Sequence, residues 1–126
     1  MYFQKSYFKT AKKTNYDGYI YMSKFEANQA AELDLRKKAG EVLKWDRQVK
    51  IPLVVNGYLI CNYYIDFVAY LADGTTEYIE AKGLAMPAWI LKWKLFEALY
   101  SGDPNNKLIV VFQGKGKRPK PKKLKL

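Results

Sequence analysis

A chain of 126 residues is long enough for one domain with its own core and too short for two. With 49% hydrophobic and 16% aromatic residues it reads as globular, and no apolar run is long enough to span a bilayer, so a membrane or secreted form is not expected. The lack of histidine and the lone Cys61 exclude an internal disulfide, a Cys/His zinc site and histidine-based catalysis, while the net charge of +10 favours a polyanionic partner.

The elements follow in chain order. Residues 1–14 read as a basic arm carrying Lys5, Lys9, Lys12 and Lys13. Asn15 to Gly18 is a turn signal that leads into an extended piece, Tyr19 to Met22. Ser23 and Glu26 have capping-box spacing, so a helix is expected to start there and to stop at Gly40. Arg36, Lys37 and Lys38 suit its C-terminal dipole, and Glu32 and Asp34 are expected to be solvated.

Val42 to Val55 reads as a strand, with Pro52 demanding an edge or a bend. Asn56-Gly57 is a hairpin turn, and Tyr58 to Leu71 is the second strand, apolar at its odd positions, which include Cys61 as a core residue. Its even positions are more polar, which puts Asp66 on the polar face. Asp73-Gly74 turns into a third strand, Thr75 to Lys82. Pro87 suits the first turn of a second helix running to about Tyr100, whose Trp89, Leu91, Trp93, Leu95, Phe96 and Leu99 form a broad apolar arc. Lys107 to Phe112 is a last strand, and residues 113–126 are a basic tail with Lys115, Lys117, Arg118, Lys120, Lys122, Lys123 and Lys125. The single domain is expected over residues 15–112, and its class is α/β.

The chemistry concentrates at one place. Along a strand Glu80 and Lys82 share a face, and a tight hairpin brings Asp66 beside them. Two carboxylates and an ammonium on one face make a hard-oxygen metal site with a cation next to it, suited to Mg2+ and phosphodiester hydrolysis. Glu77, three positions away from Glu80, points to the opposite face and is left out.

An acid, a gap and then Glu80-Ala81-Lys82 resembles the signature of the PD-(D/E)XK nuclease superfamily, and especially small phage-borne members such as Holliday junction resolvases. Ile65 stands where the name-giving motif has proline. The order helix, three strands, helix, strand is similar to the restriction-endonuclease-like αβββαβ core, a mixed sheet flanked by helices, over roughly Tyr16 to Phe112. The resemblance implies Asp66, Glu80, Glu26 and the Ala81 carbonyl as ligands of Mg2+ or Mn2+, and Lys82 and Gln48 as further catalytic residues. Glu26 is equally explained by its capping box, and Gln48 by an ordinary surface strand.

DNA contacts are expected from Lys12, Lys13, Lys115, Lys117, Arg118 and Lys94, and from Lys92, which stands inside the apolar arc as if reaching for a polar cleft. Tyr16, Tyr19 and Tyr21 are interface candidates, because aromatics interleaved with lysine stack on unpaired bases. The expected protein is a homodimeric endonuclease of branched DNA, most simply a phage resolvase in the host-cell cytoplasm. A flap, fork or nicking nuclease, a non-catalytic nucleic-acid-binding module and a plain adaptor domain stay open.

Overall fold

A computed structural model of the chain describes residues 12–83 and 85–113. Lys12 and Lys13 are among them and exposed. Lys5, Lys9, Lys115, Lys117, Arg118 and the remaining tail lysines lie outside the described residues.

The order is β1 (Thr14–Tyr16), β2 (Tyr19–Tyr21), α1 (Lys24–Lys38), β3 (Val42–Val55), β4 (Tyr58–Leu71), β5 (Thr76–Lys82), α2 (Pro87–Tyr100) and β6 (Asn106–Phe112). The turn at Asp17-Gly18 does more than introduce an extended piece: with both residues at positive φ, it closes a β1–β2 hairpin. Helix α1 starts where Ser23 accepts the Glu26 N–H at 3.1 Å. It ends in a paired turn, Gly40 N–H to Lys37 carbonyl and Glu41 N–H to Arg36 carbonyl, that only a residue tolerant of left-handed backbone allows at Gly40.

The main sheet has the order β3-β4-β5-β6, antiparallel across β3, β4 and β5 and parallel between β5 and β6. Pro52 therefore sits on an edge strand, where its missing donor is tolerated. Helix α1 covers one face through Ala27, Ala30 and Leu33 against Phe67, Ala69 and Ile79. Helix α2 covers the other through Trp93 and Phe96 against Tyr63, Ile65 and Val68. This is the αβββαβ restriction-endonuclease-like architecture, with the β1–β2 hairpin added at its front. No helix among the described residues is long and apolar enough to cross a membrane.

Three sequence expectations change. The odd positions of β4 do not share one face: Phe67, Ala69 and Leu71 pack under α1, whereas Tyr63 and Ile65 pack under α2. In β3 the same switch separates Trp45 from Val49 and Ile51. It falls on both strands at the level of Gln48 and Asp66, and Gln48 has φ 49°, a left-handed backbone inside a strand. Asp34 is not simply solvated, since it accepts from the Tyr16 hydroxyl at 2.6 Å and from Trp45 Nε1 at 2.9 Å. The apolar arc of α2 is also narrower than expected: Leu91 is 70% exposed, and Lys92 beside it is exposed too.

Candidate active site

The site arises where the sheet forks. The β4–β5 ladder runs through Tyr70↔Thr76, Ala69↔Glu77 and Val68↔Tyr78 to Phe67↔Ile79. The next pair in that register is Asp66 and Glu80. There β4 continues with β3, through Arg47↔Phe67 and Val49↔Ile65, while β5 continues with β6, through Glu80↔Val110 and Lys82↔Phe112. Backbone N–H groups freed at a fork need acceptors, and the two acids supply them reciprocally. Ala81 N–H donates to Asp66 Oδ2 at 2.9 Å, and Asp66 N–H donates to Glu80 Oε1 at 3.1 Å. The acids are thus held by backbone, which fixes them better than side-chain partners alone.

Lys82 leaves β5 on the same side as Glu80, and its Nζ lies 3.1 Å from Glu80 Oε2. The ammonium also sits over the Trp89 ring, 4.8 Å from its centre. Trp89 is in turn tied down by donating its indole N–H to the Tyr63 hydroxyl at 3.0 Å. Pro87 at the start of α2 places Trp89 at the mouth of the fork, and Trp93 and Phe96 anchor the helix below it. From the sequence pattern alone Trp89 belongs to the apolar arc and Tyr63 carries no mark of a site residue. The usable signal was an aromatic in the first turn of the helix that directly follows Glu80-Ala81-Lys82.

Gln48 donates from Nε2 to Asp66 Oδ1 at 3.0 Å. Its left-handed backbone costs about 1–3 kcal/mol in a non-glycine residue and aims the side chain across the strand pair. Glu26 approaches from the α1 side and lines the same cavity as Gln48 and Asp66. Glu26, Gln48, Asp66, Glu80 and Lys82 are therefore brought together. Lys92 and Lys94 are exposed on α2, and Lys92 has no hydrogen bond or ion pair to these carboxylates. Glu77, on the other face of β5, is claimed by Arg36 in two bonds of 2.8 and 2.9 Å.

The electrostatics are lopsided. Burial raises the Glu26 carboxyl to about 7, with the Asp66 charge adding to it and Lys82 opposing. Burial also raises Glu80, again with Asp66 adding and Lys82 opposing. Asp66 is raised by burial, against the Ala81 N–H, Lys82 and Gln48, which favour its charged form. Three acids crowd here, with the Lys82 ammonium and, in the wall of the same cavity, the Arg47 guanidinium as the cations beside them.

Among the described residues no three His, Cys, Asp or Glu side chains form a metal-binding group. Mg2+ needs only one or two carboxylates and keeps its waters. A carboxylate offers about four lone-pair sites, so the bonds above, with the Tyr63 hydroxyl also meeting Glu80, leave Asp66 and Glu80 acceptor capacity. The donor set is all oxygen, so the residues fit a hard dication of this kind.

No curated protein and no solved structure matches the chain. One family model does, and it takes in the front hairpin, both helices and all but the last residue of the final strand. Because that match spans residues 5–111, the chain belongs to the DUF1064 family, whose description is "protein of unknown function".

Proposed function

We propose that this protein is a Mg2+- or Mn2+-dependent endonuclease of the PD-(D/E)XK type that cuts branched DNA, with a Holliday junction as its first substrate. The observation that carries the reading is the fork itself: Asp66 and Glu80 clasp each other's strand by 2.9 and 3.1 Å bonds, with Lys82 3.1 Å from Glu80. Asp66, Glu80 and the Ala81 carbonyl would hold the dication, with Glu26 reaching it directly or through water. A bound dication supplies acidified water and a polarised phosphate.

The chain's own residues supply the rest. Hydrolysis forms a bond from water oxygen to phosphorus and breaks the bond to a sugar oxygen. The proton lost by water has an acceptor in the Glu26 carboxylate, which lines the cavity beside Asp66. The proton ends on the departing sugar oxygen. Lys82 stabilises the charge that grows on the phosphate oxygens, and Trp89 keeps its ammonium in place. Gln48 orients Asp66.

A resolvase makes paired cuts and so acts as a homodimer. Val54, Tyr58, Leu59, Ile60 and Tyr64, exposed on the far half of the β3–β4 hairpin at the sheet edge, support such a contact. The net charge of +10 supports a DNA partner, with Lys12, Lys13, Lys94 and the tail residues Lys115, Lys117 and Arg118 as phosphate contacts. We place its action in a phage-infected cell's cytoplasm, and a flap, fork or nicking nuclease is the nearest variant. One observation favours a rival: every oxygen of Asp66 and Glu80 already has a protein partner, which a non-catalytic DNA-binding module would also show.

The test is cleavage of a labelled four-way junction beside duplex, flap and single-stranded controls, in Mg2+, Mn2+ and EDTA, with wild type and Lys82→Ala. Paired nicks on the junction alone, lost in EDTA and in the variant, are expected. Cutting of flaps instead would keep the nuclease and remove the resolvase. Binding with no cutting in either metal would leave the non-catalytic module.

A further inference from the structure

We infer that the cavity between the β1–β2 hairpin and the carboxylates is a subsite for one unstacked nucleobase, so that the preferred substrate carries an unpaired nucleotide beside the cut phosphate. The inference rests on the nuclease reading for its place next to the cut, but its binding step does not require cleavage.

The cavity encloses about 270 Å³. Its walls are of two kinds. Glu26, Gln48 and Asp66 bring polar atoms to the lining, and Tyr19, Tyr21 and Met22 bring rings and a thioether. Arg47 lines the cavity too. Its guanidinium is stacked 4.2 Å over the Tyr19 ring, which also packs edge-on against Tyr21 at 4.7 Å, and it donates to the Tyr21 hydroxyl at 3.2 Å, so cation and rings form one surface in the cavity wall. Such a surface is what bases of any sequence stack on. Ile20 and Met22 are 61% and 54% exposed at the hairpin, unusually so for residues of this type, and flank the entrance.

The chemistry separates a base from other occupants. A phosphate in the cavity would meet the Glu26 and Asp66 carboxylates, and the Arg47 guanidinium there is already stacked on Tyr19 and bonded to the Tyr21 hydroxyl. A nucleobase is flat and uncharged, and carries N–H donors on its edge that those acceptors can take. The same cavity reaches Asp66, so a nucleotide whose phosphate sits at the fork has its own or the adjacent base at the Tyr19–Arg47 stack. A base fully paired in a duplex cannot enter, whereas one at a junction, flap or bulge can.

The experiment is fluorescence anisotropy in EDTA, where no cutting occurs. The probes are a labelled duplex with one bulged adenine and the same duplex with an abasic residue at the bulge. Stacking of one base is worth about 1–3 kcal/mol, so wild type should bind the adenine bulge roughly 5- to 150-fold tighter. Tyr19→Ala should bring the two affinities together, Tyr19→Phe should keep them apart, and Leu35→Ala, 65% exposed on α1 and outside the cavity lining, should change neither. Equal binding of both probes by wild type, or discrimination that survives Tyr19→Ala, overturns the inference. Discrimination without metal-dependent cutting would keep the subsite and remove the nuclease; cutting without discrimination would do the reverse.

Discussion

Strand β5 carries two buried glutamates three residues apart, and the protein treats them in opposite ways. Glu77, 7% exposed, faces α1 and receives both arms of the Arg36 guanidinium, which also binds Glu41. Glu80, 2% exposed, faces the fork, meets a single ammonium at 3.1 Å and shares the space with Asp66. The first acid is compensated by a planar partner with matched geometry. The second is left among like charges, which is a cost unless something else arrives to share it. One glutamate closes the sheet against a helix; the other, on the proposed reading, holds a place for a dication.

The sharpest way to break the comparison is to neutralise each in turn. Glu80→Gln or Asp66→Asn should lower Mg2+-dependent cleavage by about 10²–10⁴-fold, the range for losing a group that handles the proton or the developing charge. DNA affinity in EDTA should be kept, and the metal-free melting temperature should be unchanged or higher, since a poorly compensated charge has gone. A fall in melting temperature with activity retained would make Glu80 the structural acid and undo the contrast.

Glu77→Ala should do the opposite. It strands Arg36, whose side chain is only 22% exposed, and should cost about 3 kcal/mol of unfolding free energy in urea titration, at the low end for a broken buried pair because Glu41 remains. Cleavage per folded molecule should stay within about twofold (~0.5 kcal/mol), because Glu77 faces Arg36 of α1 and not the fork. Trp89→Leu comes next. Loss of a cation–π contact worth about 0.5–2 kcal/mol should slow cleavage by roughly 2- to 30-fold. Trp89→Phe keeps a ring for Lys82 but not the bond to Tyr63, so its recovery of rate would show that Lys82 positioning, not core packing, is what Trp89 contributes.

Much of this was open to sequence reading because alternation and turns are local. Asn56-Gly57, Pro87 and the Ser23–Glu26 spacing place β4, α2 and α1 to within a residue or so of their observed limits. The convergence of Asp66, Glu80 and Lys82 also follows from a hairpin with side chains of period two. What alternation could not show is the switch of faces at Gln48 and Asp66, because it depends on one residue taking left-handed backbone in mid-strand. The fates of Asp34 and Lys92 were equally hidden. Whether a helix acid meets an indole from another strand, or a helix lysine points outward, is settled by tertiary packing and not by helical spacing.

The gentlest test concerns pH and Glu26. Its carboxyl titrates at about 7 in the folded chain against an ordinary 4.5, raised by burial first and by Asp66 second. A raised acid stabilises the fold below its unfolded pKa, and that contribution is lost as pH climbs through the folded value. The metal-free protein should therefore lose melting temperature between pH 5 and pH 8, and Glu26→Gln should flatten the decline. Mg2+ should reverse the sign, since it binds the ionised acids and so stabilises most above pH 7. The Glu77 site leaves a dication nothing to relieve, because both its oxygens are bonded to Arg36. If the wild-type decline were the same with and without Mg2+, and unchanged by Glu26→Gln, the two glutamates of β5 would differ only in their partners and not in purpose.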